Sequence, residues 1–319
     1  SIRACASPAG RRHEGCAMTA AAAAFTPAAG GWRALARAYA DSPLALAGLA
    51  LLMVIVAAAL AAPWIAPQDP YDLSQLDIMD SRLPPGSASA DGSLHYLLGT
   101  DGQGRDMLSA ILYGLRISVA VGFSATLLAL ALGMSLGLVA GYAGGRLDAF
   151  VMRAVDIQMS FPAILTAMIL LALFGQGTDK IVIALVASQW AYYARSTRGA
   201  ALVEGRREYI EAARLLGLST PRILFRHLLP NCLPPLIVVA ALQVAAAIAL
   251  EATLSFLGLG LPVTEPSLGL LIANGFQYLY SGRYWMSVFP GVALLLAIVA
   301  LNLVADRLRE ILNPRLQSQ

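Results

Sequence analysis

Charged side chains are scarce in this chain of 319 residues. Only 13% of the residues are charged, whereas 58% are hydrophobic, and a soluble domain usually carries about 25% charged residues. A shortfall of this size indicates that lipid is the main solvent of the protein. The composition therefore predicts an integral membrane protein, and it favours neither a soluble enzyme nor a nucleic-acid-binding protein.

Lysine occurs once, as Lys180 in the stretch GTDKIV. A nucleotide-binding P-loop ends in a lysine followed by serine or threonine, so that the ammonium group meets phosphate. Lys180 is followed by isoleucine, and the chain therefore has no such motif. If ATP drives this protein, the nucleotide must bind to another polypeptide.

Cysteine and histidine are also few. The three cysteines, Cys5, Cys16 and Cys232, show neither CxxC nor zinc-type spacing, so neither a disulfide framework nor a metal site is predicted. The histidines stand far apart along the chain, and no Ser/His/Asp constellation can be assembled from them. They are His13, His95 and His227. No residue pattern indicates bond-breaking chemistry.

Windows without charge mark the predicted membrane spans, because an ionised side chain at the bilayer centre costs about 2.5–3.5 kcal/mol. Crossing the hydrocarbon takes roughly 20 apolar helical residues. Six windows are found, and the short fourth one crosses only if Arg195 reaches the headgroups or the helix packs inside a bundle. The windows are Ser42–Gln68, Ile117–Gly145, Ile157–Thr178, Ile181–Ala194, His227–Leu250 and Tyr284–Ala305.

Arginine is distributed unevenly between the connections of these spans. The N-terminal arm, the second and fourth connections and the C-terminal tail hold most arginines, and the opposite set holds few. Cytoplasmic segments carry the excess of basic residues. Since an even number of spans returns the chain to its starting side, both termini are predicted to be cytoplasmic.

The chain divides at the first span into an arm, residues 1–41, and a transmembrane domain, residues 42–319. The first part of the arm has no apolar periodicity and is predicted to be disordered. Residues 1–17, before Met18, are either upstream sequence or part of this arm. The first span is too long for the h-region of a signal peptide and is followed by further spans, so we favour an uncleaved anchor.

The first external connection, residues 65–106, is long and rich in aspartate. One interpretation is a docking surface for an extracytoplasmic partner, and the other is a solvated acidic loop. Its end combines residues that suit tight turns and helix starts. The candidate docking residues are Gly99, Thr100, Asp101, Gly104, Arg105 and Asp106.

Two features lie within the apolar spans. Gly133, Gly137 and Gly141 recur every four residues, which indicates close helix packing, with a backbone-lined pore as the alternative. Glu251 is an acid in a long hydrophobic run, and an intramembrane carboxylate is a candidate pathway residue. The alternative places Glu251 in the outer headgroup zone, at the end of the fifth span.

The fourth connection, residues 201–231, is unusually polar and predicts two short helices joined by a bend. In the first helix, Tyr209, Ile210, Ala213 and Leu216 form an apolar stripe, and Glu211 is at contact spacing from two arginines. Gly217 suits a left-handed helix end. Ser219 or Thr220 caps the second helix, which has Pro221 in its first turn. Such helices bury their apolar face against lipid, the bundle or another protein.

The stretches EAARLLG and HLLPN of this connection resemble the EAA loop of ABC importer permeases. His227 stands where many members of that family have isoleucine. LLGTDGQGRDMLSAILYGLRIS and LEATLSFLGLGLP are similar to the C-type permease subunit of dipeptide, oligopeptide and nickel importers. The resemblance extends from about Pro43 to Pro314. The residues on the EAA pattern are Glu211, Ala212, Ala213, Gly217, Leu229 and Pro230.

The resemblance implies an all-α integral membrane protein of the type I ABC importer permease fold, with six transmembrane helices and cytoplasmic coupling helices. It further implies that Leu216, Arg214 and Phe225 join the EAA residues in coupling to the ATPase. The implied partners are a second homologous permease, two ATP-binding subunits, an extracytoplasmic solute-binding protein and the lipid of a bacterial inner membrane. ATP and Mg²⁺ would bind to the ATPase subunits, and no cofactor to this chain.

Three hypotheses follow for function. The leading one is a permease subunit of an ATP-driven importer for dipeptides or oligopeptides, with nickel or another small solute as the alternative cargo. The second is a secondary transporter that works without ATPases, for which Glu251 is the main support. The third is a membrane scaffold whose inner helices anchor a partner.

Overall fold

The structure is a computed structural model that describes residues 32–72 and 75–312. Predictions about residues 1–31, which include Cys5, Cys16 and Met18, and about the tail from residue 313 lie outside the described residues. In the described ranges the helices are α1 (Trp32–Ala40), α2 (Pro43–Ile65), α3 (Met107–Ala143), α4 (Gly145–Ser160), α5 (Ala163–Phe174), α6 (Thr178–Glu204), α7 (Glu208–Leu215), α8 (Thr220–Arg222), α9 (Leu229–Phe256), α10 (Leu268–Phe276) and α11 (Trp285–Leu312).

Helices dominate the fold, as the sequence predicts. Within residues 32–72 and 75–312, four helices are long and apolar enough to cross a membrane: α2, α3, α11 and the continuous helix Thr220–Phe256 that contains α9. The bent pair α4 and α5 adds a fifth span if it is counted as one. Length and apolarity therefore confirm four or five of the six predicted spans.

The predicted third span, Ile157–Thr178, contains a sharp bend. Helices α4 and α5 meet at 90° at a break next to Pro162. Phe161 has an extended backbone, with φ −98° and ψ 137°, as the residue before a proline prefers. The absence of charge says nothing about helix direction, so the charge-free window alone did not indicate this bend.

The predicted fourth span is part of α6, which has 27 residues and so a length of about 40 Å. It is not among the four helices that are apolar enough to cross a membrane, and two of its arginines are neutralised by α4. Arg195 pairs with Asp156, and Arg198 binds Asp148 through two hydrogen bonds of 2.5 and 2.6 Å. Cross-helix ion pairs are thus the means by which α6 keeps arginines beside the bundle. Asp156 bonds to Arg195 rather than to Arg153, its neighbour on α4.

Helices α3 and α6 pack through the glycine stripe. A Cβ atom on Gly133 would lie 2.3 Å from the Trp190 carbonyl oxygen, and one on Gly137 would lie 2.3 Å from the Ala194 carbonyl oxygen. A Cβ on Gly141 would lie 2.8 Å from the Ala201 side chain. The prediction of close helix packing is confirmed.

Buried apolar side chains fill three levels of the bundle. Near the outer loop, Met107, Leu268 and Trp285 join α3, α10 and α11. Val121, Leu185 and Leu254 belong to a second cluster that joins α3, α6 and α9. A third cluster lies around α7 and is described below. By contrast, Met53, Val54 and Leu60 of α2 are more than half exposed, as expected of side chains that face lipid.

The loop between α2 and α3 is compact rather than irregular. It contains a short 3₁₀ helix, Ile78–Asp80, and two antiparallel strands, β1 (Ser87–Ala88) and β2 (His95–Tyr96), which pair Ser87 with Tyr96. Asp106 caps α3, since its carboxylate accepts the Ser109 N–H at 2.8 Å. The prediction that this segment ends in a turn and a helix start is confirmed.

Candidate functional site

Helix α7, which carries predicted coupling residues, lies on the far side of the bundle from the loop between α2 and α3. That loop contacts the segment between α9 and α10, because Arg105 Nη1 donates to the Val263 carbonyl at 3.3 Å. Thr178, the first residue of α6, donates to Glu265 Oε2 of the same segment at 3.0 Å. Since α7 follows the other end of α6, the two segments face opposite sides of the membrane.

Gly217 ends α7 in the left-handed conformation, with φ +70°. The N–H of Gly217 donates to the Arg214 carbonyl at 3.0 Å, and the N–H of Leu218 donates to the Ala213 carbonyl at 3.2 Å. These two bonds form a Schellman motif, which satisfies the last carbonyls of the helix. The left-handed helix end predicted at Gly217 is confirmed, and the motif fixes the direction in which the chain leaves α7.

One face of α7 is anchored in the bundle. Ile210 is completely buried and Ala213 is buried beside it. They belong to the third core cluster, with Leu138 of α3 and with Ile223 and Leu228 of the next helix. Burying an isoleucine side chain stabilises the fold by about 1.5–3 kcal/mol. Helix α7 is therefore held on the bundle by its own apolar residues.

The other face of α7 exposes apolar side chains to the outside of the bundle. Leu215 is 89% exposed, Leu216 78% and Phe225, on the next helix, 64%. The predicted single stripe is wrong in part, because Ile210 and Ala213 face inward whereas Tyr209 and Leu216 are exposed. Glu211, Ala212, Arg214, Gly217 and Pro230 are also exposed, and Leu229 is half-buried.

Glu211 makes none of the ion pairs predicted for it. Among the residues that the structure describes, no ion pair includes its carboxylate. Arg207 lies 3.6 Å from Glu204 instead, and the Arg214 guanidinium lies 4.8 Å above the Tyr142 ring. Arg207 and Arg214 thus contact other residues instead of the Glu211 that helical spacing predicts. The exposed Glu211 carboxylate remains available to a partner.

A hydrogen-bonded clamp that the sequence did not reveal ties α7 to its neighbours. The Tyr209 hydroxyl donates to Glu204 Oε2 of α6 at 2.9 Å, and Asn231 Nδ2 of α9 donates to the Tyr209 hydroxyl at 3.1 Å. Burial and the adjacent Glu204 raise the pKa of Tyr209 to about 12. Three helices meet at this hydroxyl, since Glu204 belongs to α6, Tyr209 to α7 and Asn231 to α9.

The second predicted short helix is the beginning of the following span. Helix α8 continues through a π-helical turn, Ile223–Leu228, directly into α9. Ser219 is the N-cap residue, although its side chain makes no capping bond. Pro230 lies in the first turn of α9 and Pro234 and Pro235 lie inside it. The prediction of two helices joined by a bend is confirmed, but the second helix is not short, because the prolines do not interrupt it.

The six residues predicted for external docking are all buried. Thr100 has no exposed surface, and its hydroxyl donates to the Asp80 carbonyl at 2.6 Å. Asp101 accepts the N–H groups of Gln103 and Arg105 at 2.7 and 3.0 Å, and its burial raises its pKa. Gly99, Gly104, Arg105 and Asp106 are equally enclosed. They shape the loop from within, and their contact with a partner stays a prediction.

Glu251 is completely buried near the end of α9. Ser118 of α3 donates to its Oε2 atom at 2.9 Å, and Ser255 donates to its Oε1 atom at 2.9 Å. Helix α9 continues to Phe256, so Glu251 lies inside the helix rather than beyond its end. The carboxylate joins α3 and α9 in this conformation, and its role in a pathway stays a prediction.

Replacing Glu251 with leucine is expected to lower the midpoint of thermal unfolding. The change leaves two buried serine hydroxyls without an acceptor, which costs about 1–3 kcal/mol. Glu251→Gln, the matched control, retains an acceptor and a donor and should melt close to wild type. Thermal unfolding of the purified complex and solute uptake are the measurements. Loss of uptake in a normally melting Glu251→Gln variant would instead assign the ionisable acid to the pathway.

Within residues 32–72 and 75–312, no group of three or more His, Cys, Asp or Glu side chains could hold a metal ion. Cys232 is buried in the cluster around α7.

Comparisons with known proteins agree with this architecture. The family of binding-protein-dependent transport system inner membrane components matches residues 133–318, and the N-terminal TM domain of oligopeptide transport permease C matches residues 31–85. The chain is 39% identical over 282 residues to the di/tripeptide transport system permease protein DppC of Pseudomonas aeruginosa. That alignment covers 88% of this chain and 91% of the relative.

This chain belongs to the family of binding-protein-dependent transport system inner membrane components. A further relative is the dipeptide transport system permease protein DppC of Escherichia coli, at 39% identity over 86% of this chain and 89% of the relative. The inward-facing MetNI methionine ABC transporter has a similar fold, with a TM-score of 0.53 and 22% identity. That match covers 64% of this chain and 97% of the other chain.

Family membership identifies the chain as a multi-pass, non-catalytic permease subunit of an ABC importer and confirms the resemblance drawn from its motifs. The matched residues 133–318 include α7, its clamp and the helix that follows it. In an ABC permease, the exposed face of α7 becomes the candidate site of contact with another subunit.

Proposed function

We propose that this permease imports dipeptides or oligopeptides and receives the force of ATP hydrolysis through α7. The observation that carries the proposal is the surface of Leu215, Leu216 and Phe225, exposed on a helix that the bundle holds rigidly. Exposed apolar side chains on an anchored helix are typical of protein interfaces. The unpaired Glu211 carboxylate at this surface adds a polar contact to the same interface.

The path of the force follows from the contacts of α7. A partner that moves α7 pulls on α6 through Glu204 and on α9 through Asn231, by way of the Tyr209 hydroxyl. The apolar cluster beneath α7 moves with it. Helix α8 runs without interruption into α9, so the segment that follows α7 is itself the start of a membrane-spanning helix.

The partners of this permease follow from the same proposal. Two ATP-binding subunits carry ATP and Mg²⁺, since this chain has no P-loop. A second homologous permease supplies the other half of the pathway, and an extracytoplasmic binding protein delivers the solute. The arginine distribution supports an orientation in the bacterial inner membrane with both termini and α7 in the cytoplasm.

Peptide cargo is supported by the relatives, several of which carry di/tripeptide or dipeptide transport in their names. Nickel or another small solute is the alternative cargo for the same architecture. Uptake by the assembled complex, measured with labelled dialanine and with ⁶³Ni²⁺ in parallel, distinguishes the two. Uptake of nickel but not of peptide would reject the peptide assignment and leave the coupling mechanism intact.

Replacing Leu215 and Leu216 together with aspartate is expected to abolish co-purification of the ATPase subunits and to lower uptake at least about tenfold. Docking would bury two carboxylates without partners, which is strongly unfavourable. Both side chains are exposed, so the variant should fold normally. Leu97→Asp changes a leucine that is 66% exposed on the opposite side, and it should leave ATPase association unchanged. Normal association and uptake in the double variant would overturn the coupling role of α7.

A further inference from the structure

Two arginines on the side opposite α7 flank one aromatic ring. The Arg82 guanidinium lies 5.4 Å from the centroid of the Tyr278 ring, and the Arg283 guanidinium lies 6.0 Å from it. Arg82 belongs to the loop between α2 and α3, and the other two residues lie between α10 and α11. Each guanidinium lies within the distance at which a cation is attracted to an aromatic ring, so Tyr278 contacts both positive charges.

The backbone at Arg82 is unusual. Its φ of +62° is the single positive value of a non-glycine residue within residues 32–72 and 75–312. The Arg82 N–H donates to the Asp101 carbonyl at 2.9 Å, and its Nε donates to the Ser81 hydroxyl at 3.1 Å. Such a conformation costs about 1–3 kcal/mol and is typical of functional sites. The buried residues around Asp101 thus hold Arg82 in a backbone conformation that a glycine would adopt without strain.

Two large exposed side chains lie near these residues in the chain. Tyr280 is 94% exposed, and Met79, in the 3₁₀ helix that leads to Arg82, is 78% exposed. Arginine, tyrosine and methionine are the residue types that are enriched in protein interfaces. We define Met79, Arg82, Tyr278, Tyr280 and Arg283 as the arginine–tyrosine patch.

The charge of the patch differs from that of its surroundings. The loop between α2 and α3 is rich in aspartate. Among the described residues, neither Arg82 nor Arg283 forms an ion pair with a carboxylate, whereas Lys180 on the same side binds Asp179 at 2.8 Å. A pair of guanidinium groups with unused donors suits the carboxylates of an acidic partner.

We propose that the arginine–tyrosine patch is a docking surface for an acidic face of the extracytoplasmic solute-binding protein. This inference rests on the proposed function, since it requires an importer with such a protein. A protein partner, rather than free solute, fits an exposed patch that has aromatic and methionine side chains beside its charges. A binding protein docked at the patch contacts both the loop between α2 and α3 and the segment just before α11. Its binding can therefore displace two parts of the bundle.

The test uses the complete complex, with both permeases and the ATPases, in phosphatidylcholine nanodiscs. ATP hydrolysis is measured against the concentration of the binding protein that stimulates the wild-type complex. Arg283→Glu is expected to raise the half-maximal concentration at least about tenfold and to leave hydrolysis without binding protein unchanged. Arg82→Glu should act similarly, but Arg283→Glu carries the test because it does not involve the left-handed backbone.

Lys180→Glu is the matched control, since it makes the same charge change on the same side but outside the patch. Its half-maximal concentration should stay within about twofold of wild type. An unchanged half-maximal concentration in Arg283→Glu and Arg82→Glu complexes that assemble normally would overturn the inference alone. An effect that appears only when phosphatidylglycerol is added would assign the patch to lipid phosphate and overturn it as well. A wild-type complex that no binding protein stimulates would overturn the proposed function itself.

Discussion

Replacing Gly133 with valine is expected to abolish the folded permease. A Cβ at this position would lie 2.3 Å from the Trp190 carbonyl oxygen, 2.7 Å from the Tyr193 Cβ and 2.9 Å from the Ala194 nitrogen. Two of these three atoms are backbone, so no rotamer change can relieve the contact. The helices α3 and α6 must separate, and overpacking of this kind costs about 1–3 kcal/mol or more.

Separation of α3 and α6 also opens the contacts on which α6 depends. Gly137 and Gly141 lie on the same stripe, and a gap at Gly133 loosens both of their contacts with α6. A membrane bundle holds its helices together mainly by such close packing, because lipid supplies no hydrophobic force between them. We expect the yield of monodisperse protein in detergent to fall at least about tenfold.

The control for this experiment is Gly199→Val on α6 itself. No atom lies within 4 Å of a Cβ added at Gly199, which is exposed. Valine has a slightly better helix propensity than glycine. This variant should therefore purify and melt like wild type in size-exclusion chromatography and thermal unfolding. Wild-type behaviour of Gly133→Val in the same assays would show that the close approach of α3 and α6 is not needed.

The sequence predicts the parts of this fold that depend on one residue's own chemistry. Gly217 and the helix start at Asp106 follow from local backbone preferences, and the apolar windows follow from the cost of charge in lipid. The glycine stripe is visible because its spacing alone places three small residues on one helix face. None of these inferences requires knowledge of a distant neighbour.

The errors share a different cause. Asp156 pairs with Arg195 and Arg198 with Asp148, partners that are 39 and 50 residues apart in the sequence. Helical spacing suggests only near neighbours, such as Arg153, which lies three residues before Asp156. The Tyr209 clamp, between α6, α7 and α9, was missed for the same reason. The apolar residues of α7 divide between an inner and an outer face, which an eight-residue helix cannot reveal by periodicity.

The bend next to Pro162 has a local signal in the sequence, although the charge-free window around it has none. The residue before a proline avoids the helical region, so Phe161 marks a helix boundary inside an otherwise continuous apolar window. At Pro234 and Pro235 the same rule misleads, because the helix passes through both. Neighbouring turns and tertiary packing decide between these outcomes, and the sequence alone does not give them.

Replacing Gly217 with valine is expected to weaken the association of the ATPase subunits with the permease and to lower uptake with it. A Cβ at this position would meet no atom within 4 Å, so the effect comes from the backbone alone. A β-branched residue resists the left-handed region, at a cost of about 1–2 kcal/mol. Loss of the Schellman motif turns Leu216 away from its present direction and releases the half-buried Leu218 from the cluster beneath α7. ATPase association and uptake should both fall at least about tenfold.

Two control variants show whether the effect depends on where the backbone strain lies or only on how large it is. Gly217→Asn tolerates the left-handed conformation and should retain association and uptake within about threefold of wild type. Gly258, at the outer end of α9, has φ +75° and open space around it, and Leu259 donates back to the Leu254 carbonyl at 3.0 Å, as in the motif at Gly217. Gly258→Val therefore creates the same strain far from α7.

If α7 transmits force, Gly258→Val lowers the thermal midpoint about as much as Gly217→Val but retains ATPase association, measured by co-purification. The clamp at Tyr209 remains in both variants, so the difference between them isolates the orientation of the exposed leucines. Equal loss of association in both would attribute the effect to general destabilisation. Full association and uptake in Gly217→Val would mean that the ATPase does not depend on the direction that Gly217 gives to the end of α7, and the coupling mechanism would fail with it.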